Sequence, residues 1–279
     1  LFAYNMCLAS AASAVLLSTF SPEEFIKTVK TLQPTAIFAA PAHFANCFHL
    51  DLLKQEDFDS VKFVCLSGSA VQQELAEKVD GLLQNGKVGQ LWGMSELQAG
   101  AITRLEDSKN VRCGFSGRAT PGTELRVVDN NDEVLMTGEE GELQVRGLSV
   151  FDGYLNKSEE TKEAFSKDEW FRTGDTAILD SNENLKITGR TKNLINRGGV
   201  KYNPVEIEDI VSKLPQVVQC AIIPVPDQIT GEKACAFIVA KKEEDVSLED
   251  ISSALNKAGV AKYKWPEQLV MIESMPMTP

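Results

Sequence analysis

Apolar positions change their period several times along the chain, and each change predicts an element. Between Gln72 and Leu83, residues Leu75, Val79, Leu82 and Leu83 share one helical face. The run Val61 to Leu66 just before them is continuous, partly β-branched and closed by Ser67-Gly68-Ser69, the pattern of a buried strand and its turn. Upstream, Ser21-Pro22-Glu23-Glu24 supplies a capping hydroxyl, a proline at the first helical position and a carboxylate at the third, predicting a helix to about Leu32. Thr35 to Ala40 predicts a short buried strand, and Val88 to Trp92 a further one. Strand, turn and helix thus alternate as in an α/β layer, where ligands gather at the loops leaving the strand ends. Leu1 to Phe20 carries no charge, which raises a signal peptide or membrane span. Asn5, Ser10, Ser13, Ser18 and Thr19 interrupt it as small polar residues do in a buried helix, and neither an initiator Met nor a basic leader precedes it. The expectation is a buried helix whose natural chain starts upstream.

The texture changes between Gly117 and Gly189. Glu124 to Asp129, Glu142 to Gly147, Thr176 to Asp180 and Asn184 to Thr188 read as short strands separated by Asn, Asp and Gly turns. After Gly189, Asn203-Pro204-Val205-Glu206 repeats the cap, proline and carboxylate signal, with Ile207, Ile210, Val211 and Leu214 as one apolar stripe. Strands at Val217 to Ile223 and Ala234 to Ala240, a helix capped by Ser247 and Asp250, and a strand at Gln268 to Ile272 follow. The predicted fold class is α/β and α+β. Residues 1–189 form part of a large domain, with an α/β sheet layer over 1–115 and a β-rich subdomain over 116–189, and residues 190–279 form a small α+β domain.

Composition narrows the partners. The chain has 279 residues, 43% apolar and 24% charged, and its 28 basic against 40 acidic residues give a net charge of −12, which disfavours nucleic acid and anionic membranes. Six scattered cysteines form no Cys-x-x-Cys pair and predict reduced thiols in an intracellular protein, and only His43 and His49 are available for a His-rich metal site.

Four segments carry candidate chemistry. Gln90-Leu91-Trp92-Gly93-Met94-Ser95-Glu96 sets an indole, a flexible glycine, a hydroxyl and a carboxylate just after a strand, where the ring can stack on a base, Ser95 can donate to a phosphate and Glu96 can hold Mg2+. Trp170-Phe171-Arg172-Thr173-Gly174-Asp175 ends in a carboxylate able to accept both hydrogen bonds of a ribose diol. Arg190, in Gly189-Arg190-Thr191-Lys192, could reach the same nucleotide, and Gly198-Gly199, between a strand-like Asn193 to Asn196 and a capped helix, suits close approach of a ligand to bare backbone. Taken singly, Trp92 reads as a packing aromatic before a solvated turn and Thr173-Gly174-Asp175 as an ordinary β-turn.

Order and spacing separate these readings. Trp92-Gly93-Met94-Ser95-Glu96, then Trp170 to Asp175, then Gly189-Arg190-Thr191-Lys192-Asn193-Leu194-Ile195-Asn196-Arg197-Gly198-Gly199 running into Pro204-Val205-Glu206-Ile207-Glu208 resembles the succession of motifs in the adenylate-forming superfamily, the AMP-dependent synthetases and ligases that include acyl-CoA synthetases. The resemblance implies that Trp92 flanks adenine, that Gly93 and Met94 belong to the same nucleotide segment, that Ser95 contacts the α-phosphate, that Glu96 binds Mg2+, and that Asp175 and Arg190 hold the ribose. It implies a hinge at Lys192 for a mobile C-terminal domain and a path for the pantetheine arm of CoA along Gly198 and Gly199. Ser67-Gly68-Ser69-Ala70 resembles the family's turn beside adenine, assigning Gly68, Ser69 and Ala70 to the nucleotide. Pro41-Ala42-His43 resembles an acyl-pocket segment, with His43 as an ordinary helix-start residue the alternative.

Departures accompany the match. Trp92 and Ser95 replace the commoner Tyr and Thr, and Asn196 stands where some members carry Lys. The family's phosphate-cradling loop is expected upstream of Leu1 and its catalytic lysine beyond Pro279, so the fragment alone is expected to be a poor catalyst. No catalytic side chain is assigned within the chain. The resemblance implies ATP, Mg2+ and CoA as cofactors and a carboxylic acid as substrate, joined through an acyl-adenylate. Loading of a carrier-protein thiol and a non-catalytic nucleotide-binding module are the alternatives. A homodimer is compatible with these features, no transmembrane segment is expected, and the expected compartment is cytoplasmic or peroxisomal.

Overall fold

The computed structural model describes residues 2–241 and 244–276. The chain divides into two compact units, Leu1–Thr173 with Ala177–Ile187, and Gly174–Thr176 with Thr188–Pro279. In chain order the first carries helices α1 (Phe2–Ala9) and α2 (Pro22–Leu32), strand β1 (Ala36–Ala39), α3 (Pro41–His49), β2 (Phe63–Leu66), α4 (Gln73–Leu82), β3 (Lys87–Trp92), β4 (Ala101–Ile102), α5 (Lys109–Gly114) and β5 (Arg118–Ala119). β6 (Thr123–Val128), β7 (Gly141–Gly147), α6 (Ser158–Ala164), β8 (Phe171–Leu179) and β9 (Leu185–Arg190) follow.

Strands β1 to β5 lie in chain order in one sheet. β1, β2 and β3 are parallel, and β4 and β5 are added antiparallel. α2, α3 and α4 bury Val29, Phe44 and Val79 with Ile37, Val64 and Val88 of the sheet, each such side chain contributing about 2 kcal/mol by removal from water. The α2 cap forms as its sequence predicts, with Ser21 Oγ accepting from Glu24 N at 3.1 Å. α4 is fastened to β3 by Asp80, whose carboxylate accepts from Val88 N at 3.1 Å and from the buried Arg112 guanidinium at 2.7 Å. Burial opposes ionisation of Asp80, but the bonds from Arg112 and Val88 outweigh it and hold the carboxyl below its usual range. This fixes the strand that delivers Trp92. The second sheet, in the order β6-β7-β8-β9, packs Leu143, Val145 and Phe171 with Trp92 and Leu97.

The second unit contains β10 (Ile195–Arg197), β11 (Val200–Tyr202), α7 (Val205–Val211), β12 (Val217–Asp227), β13 (Gly231–Ala240), α8 (Leu248–Lys257) and β14 (Gln268–Met271). Its sheet runs β11-β10-β13-β12, with β14 parallel to β13. Ile207, Ile222, Ile238, Ile251 and Leu255 form its core. The capping box of α8 is complete: Ser247 Oγ accepts from Asp250 N at 3.1 Å, and Asp250 Oδ2 accepts from Ser247 N at 2.9 Å.

Several expectations are corrected. In place of a buried helix over Leu1 to Phe20, the helix stops at Ala9, Tyr4, Met6 and Leu8 are exposed, and residues 12–20 are irregular. Ala11, at φ 50°, turns the chain left-handed and so ends the helical path; beyond it Leu17 and Phe20 pack against the core of the first sheet while Val15 and Leu16 stay exposed. Leu1 itself lies outside the described residues. β1 buries only the Ile37 and Ala39 face, because it is an edge strand. β8 starts at Phe171, so Thr173-Gly174-Asp175 is strand and not turn. β12 extends through Pro224 and Pro226 to Asp227, which its edge position permits because no ladder partner needs their missing N–H. Gly198 and Gly199 join two strands, with β11 intervening before the helix.

Candidate functional site

Within the first unit, β3 ends at Trp92 and the chain folds tightly back. Gly100 N donates to Trp92 O at 2.9 Å, while Leu97 N and Gln98 N both donate to Met94 O. Two glycines make this possible. A Cβ on Gly93 would lie 1.8 Å from the Gln98 carbonyl oxygen, and one on Gly100 would lie 2.3 Å from the Trp92 ring. Trp92 is 8% exposed and packed with Leu97, so its indole forms a wall rather than a free-standing plate. Ser95 is exposed at the tip. Glu96 is tied on both its backbone and its side chain: its carbonyl accepts from Phe151 N at 2.8 Å and its Oε1 from the Tyr154 hydroxyl at 3.0 Å. Partial burial, then the adjoining Glu96 carboxylate, raise the Tyr154 hydroxyl above its usual range, so it stays a donor.

Gly68, at φ 92°, turns the chain after β2 and leaves Ser69 and Ala70 exposed. His43 sits in the first turn of α3, where its Nδ1 accepts from Ala40 N at 3.2 Å and its ring stacks on Phe20 at 4.1 Å. Burial lowers its pKa, which keeps the ring neutral and able to accept. The helix-start role of His43 is therefore visible in its contacts.

In the second unit the Asp175 side chain is 6% exposed and accepts from Arg190 Nε at 2.9 Å, while the Arg190 side chain is 61% exposed. A buried carboxylate thus orients a guanidinium whose outer face meets solvent. Neighbouring polar groups stiffen the pair. Thr191 Oγ1 donates to Gly174 O at 3.1 Å, and Thr176 Oγ1 receives both Thr188 Oγ1 at 3.0 Å and Asn203 Nδ2 at 3.1 Å. The Asn203 amide packs directly over Gly189, where an added Cβ would lie 2.1 Å from Asn203 Nδ2 and would push that side chain aside. Lys192 is exposed in the single 3-10 turn Thr191–Asn193.

Gly198 and Gly199, at φ 58° and 88°, make the two-residue turn between β10 and β11, where both central residues need positive φ. Gly198 N donates to Thr230 O at 2.8 Å and Asn196 N to Glu232 Oε2 at 2.7 Å, fastening this turn to the β12–β13 hairpin. Hydrogen bonds from Thr230 N, Thr230 Oγ1 and Ile229 N hold Asp227 at the hairpin tip well below the usual carboxylate range, although it is exposed.

The structure brings Asp175 to Arg190 and stations the Trp92 to Glu96 turn against Tyr154. Sequence reasoning missed Tyr154, and it read Thr176 only as a strand start and Asn203 only as a helix cap. No periodicity links Tyr154 to a carboxylate 58 residues away; only the Gly153-Tyr154 pair offered a local signal. All six cysteines are free. Among the described residues no group of three or more His, Cys, Asp or Glu could hold a metal by itself, and no helix is long and apolar enough to cross a membrane.

Residues 1–155 match the family described as AMP-binding enzyme, and residues 206–279 match the AMP-binding enzyme C-terminal domain. A medium-chain fatty-acid–CoA ligase of Escherichia coli (strain K12) is 30% identical over 269 residues, covering 96% of this chain and 47% of the relative. A salicylyl-CoA synthase / salicylate adenylyltransferase of Streptomyces sp is 35% identical over 222 residues, covering 78% of this chain and 39% of the relative. Among solved structures, ATP-bound MatB from Rhodopseudomonas palustris superposes with a TM-score of 0.90 at 26% identity, covering 99% of this chain and 54% of that one. The chain therefore spans about half the length of the relatives it matches.

Proposed function

The chain belongs to the AMP-binding enzyme family, and on that premise we propose that the protein activates a carboxylic acid with ATP and transfers it to CoA. The observation that carries this reading is the Asp175–Arg190 pair, a buried carboxylate orienting an exposed guanidinium at 2.9 Å. Asp175 would accept from the ribose hydroxyls, and Arg190 would contribute charge-assisted donors beside it. Trp92 would wall the adenine, Ser95 would donate to the α-phosphate, and the Gly68-Ser69-Ala70 turn would line the same nucleotide. Gly93 would let the backbone fold around it, with Met94 packed behind.

Glu96 suits Mg2+ by the chemistry of its donor set. It is one hard-oxygen carboxylate, with no metal cage around it among the described residues, and Mg2+ keeps most of its shell as water and substrate phosphate oxygens, needing one or two carboxylates from the protein. Bound there, it would offset charge on the phosphates. The acid's carboxylate attacks the α-phosphorus, forming the acyl-adenylate and releasing pyrophosphate; the CoA thiolate then attacks the acyl carbon and AMP leaves. The protein's share is positioning and electrostatic stabilisation, with no general base required. Lys192 in its exposed turn would serve as the hinge between half-reactions, the Gly198-Gly199 turn would flank the pantetheine arm, and His43 would reach the acyl pocket only from its helix-start position. A carrier-protein thiol would use the same glycine turn; the relatives named as CoA ligases favour CoA.

The test is acid-dependent pyrophosphate release on the complete polypeptide carrying these residues, over a panel of carboxylic acids, with and without CoA. Release that CoA carries through to thioester, and that Asp175→Ala lowers at least about 100-fold, is the expected outcome. Release without thioester would transfer the assignment to a carrier-protein acceptor. Folded protein that binds ATP yet turns over no acid would overturn the reading.

A further inference from the structure

We propose that Tyr154 is a positioning residue that fixes the direction of the Glu96 carboxylate before the nucleotide and its metal bind. The inference rests on the reading of Glu96 as the magnesium-holding carboxylate. The loop after β7 is firmly held. The Phe151 ring meets Phe171 edge-on at 5.4 Å, lies over Phe165 at 5.9 Å and touches the Tyr154 ring at 4.8 Å. That aromatic cluster sets the Phe151 backbone, whose N–H donates to the Glu96 carbonyl at 2.8 Å. Two residues on, Gly153 at φ 150° passes so close to Thr161 that an added Cβ would lie 2.5 Å from its methyl. The close approach lets Thr161 Oγ1 accept from Tyr154 N at 2.9 Å while donating to Lys157 O at 2.8 Å. Tyr154 is therefore held through its backbone and its ring contact with Phe151, and its hydroxyl donates to Glu96 Oε1 at 3.0 Å.

A glutamate at a turn tip has three side-chain torsions to freeze when it takes up a ligand, and ordering them opposes binding. A tyrosine hydroxyl already bonded to Oε1 sets those torsions in advance and leaves Oε2, with the remaining lone pairs, for another partner. Phe151 holds the Glu96 backbone from the same loop, so main chain and side chain are oriented together. Partners of this kind behind a metal-holding carboxylate commonly change metal affinity by 10- to 100-fold when removed.

The experiment uses Tyr154→Phe, which keeps the ring and its aromatic packing, and Glu96→Gln, singly and together, in the complete polypeptide. Two readouts are taken: the Mg2+ concentration giving half-maximal pyrophosphate release, and binding of Mn2+ in the presence of ATP by electron paramagnetic resonance. The expected result is a rise of about 10-fold in both half-saturating metal concentrations for Tyr154→Phe, an unchanged melting temperature without ligands, and no further rise when it is added to Glu96→Gln. A shift for Glu96→Gln with none for Tyr154→Phe would overturn the proposal and leave Glu96 in its role. Equal losses from Tyr154→Phe in both backgrounds, with a lower ligand-free melting temperature, would reduce Tyr154 to a loop tether. No shift for Glu96→Gln would remove the premise, and the proposal with it.

Discussion

Two glycine-bearing turns, one in each unit, are built for opposite reasons. In the first unit, Gly93 and Gly100 lie where neighbouring atoms already occupy the space of a side chain, the nearest being the Gln98 carbonyl and the Trp92 ring. In the second, Gly198 and Gly199 have no atom within 4 Å of an added Cβ, but their φ values of 58° and 88° are left-handed. One turn is fixed by packing and the other by dihedral angle. A packed turn can hold the side chains of Ser95 and Glu96 in place, whereas an open one presents bare backbone to whatever approaches. The same residue type therefore makes a packed turn in one unit and an open one in the other.

The largest effect is expected from attacking the packed turn. Gly93→Ala places a methyl against backbone that cannot rotate aside, and is expected to cost about 3 kcal/mol, read as a lowered urea midpoint of the first unit. A loss near the usual glycine-to-alanine gain or loss in an open loop would mean that the turn relaxes, and the contrast with the second unit would collapse.

A smaller effect separates the units by pH. Burial pushes the Glu208 carboxyl up to about 7, against the opposing hydrogen bond from Ile222 N, with Asp209 adding a lesser upward push; that bond is 2.7 Å long. Cys220 is the other titratable group facing it, and its own thiol is raised by burial and by Glu208. Because the folded state binds the Glu208 proton more tightly than the unfolded chain, stability is fully present below the ordinary carboxyl value. It falls as pH rises through about 7. Allowing for partial solvent access, the loss is about 2 kcal/mol. Hydrogen exchange should show β12 opening more readily at pH 8 than at pH 5 relative to β3, and Glu208→Gln should remove that difference while keeping an acceptor for Ile222 N. A pH dependence that persists in Glu208→Gln would assign it elsewhere.

What the sequence could reveal followed from how local its causes were. The caps at Ser21 and Ser247 and the apolar stripe of α4 involve residues within one or two helical turns, and the structure forms them as read. The Thr173-Gly174-Asp175 segment reads as a turn by composition, yet it lies in β8, because strand pairing at long range overrode local preference. The bond from Tyr154 to Glu96 and the bonds converging on Thr176 depend on side chains brought together by the fold, for which spacing along the chain carries no sign. The candidate residues at Trp92 to Glu96, Asp175 and Arg190 were legible from their order along the chain, but the supporting side chains behind them were not.

The smallest stability effect tests the open turn and the chemistry proposed for it together. Gly198→Ala must adopt φ near 58°, a left-handed conformation that costs an alanine about 1 kcal/mol, with no clash to add. Gly198→Asn occupies the same position, but asparagine followed by glycine is the favoured pair for this two-residue turn, so its cost should be only a few tenths of a kcal/mol. If the two substitutions destabilise equally, dihedral angle is not what the position selects. The asparagine variant then becomes a clean probe, because its fold is intact and only bare backbone has been covered. Should the pantetheine arm run along this turn, Gly198→Asn will leave acid-dependent pyrophosphate release unchanged while raising the CoA concentration needed for thioester formation about 10-fold, in the range of 1.4 kcal/mol of lost contact. Unchanged CoA dependence in a stably folded Gly198→Asn protein would detach the turn from the thiol acceptor and leave its glycines explained by the hairpin alone.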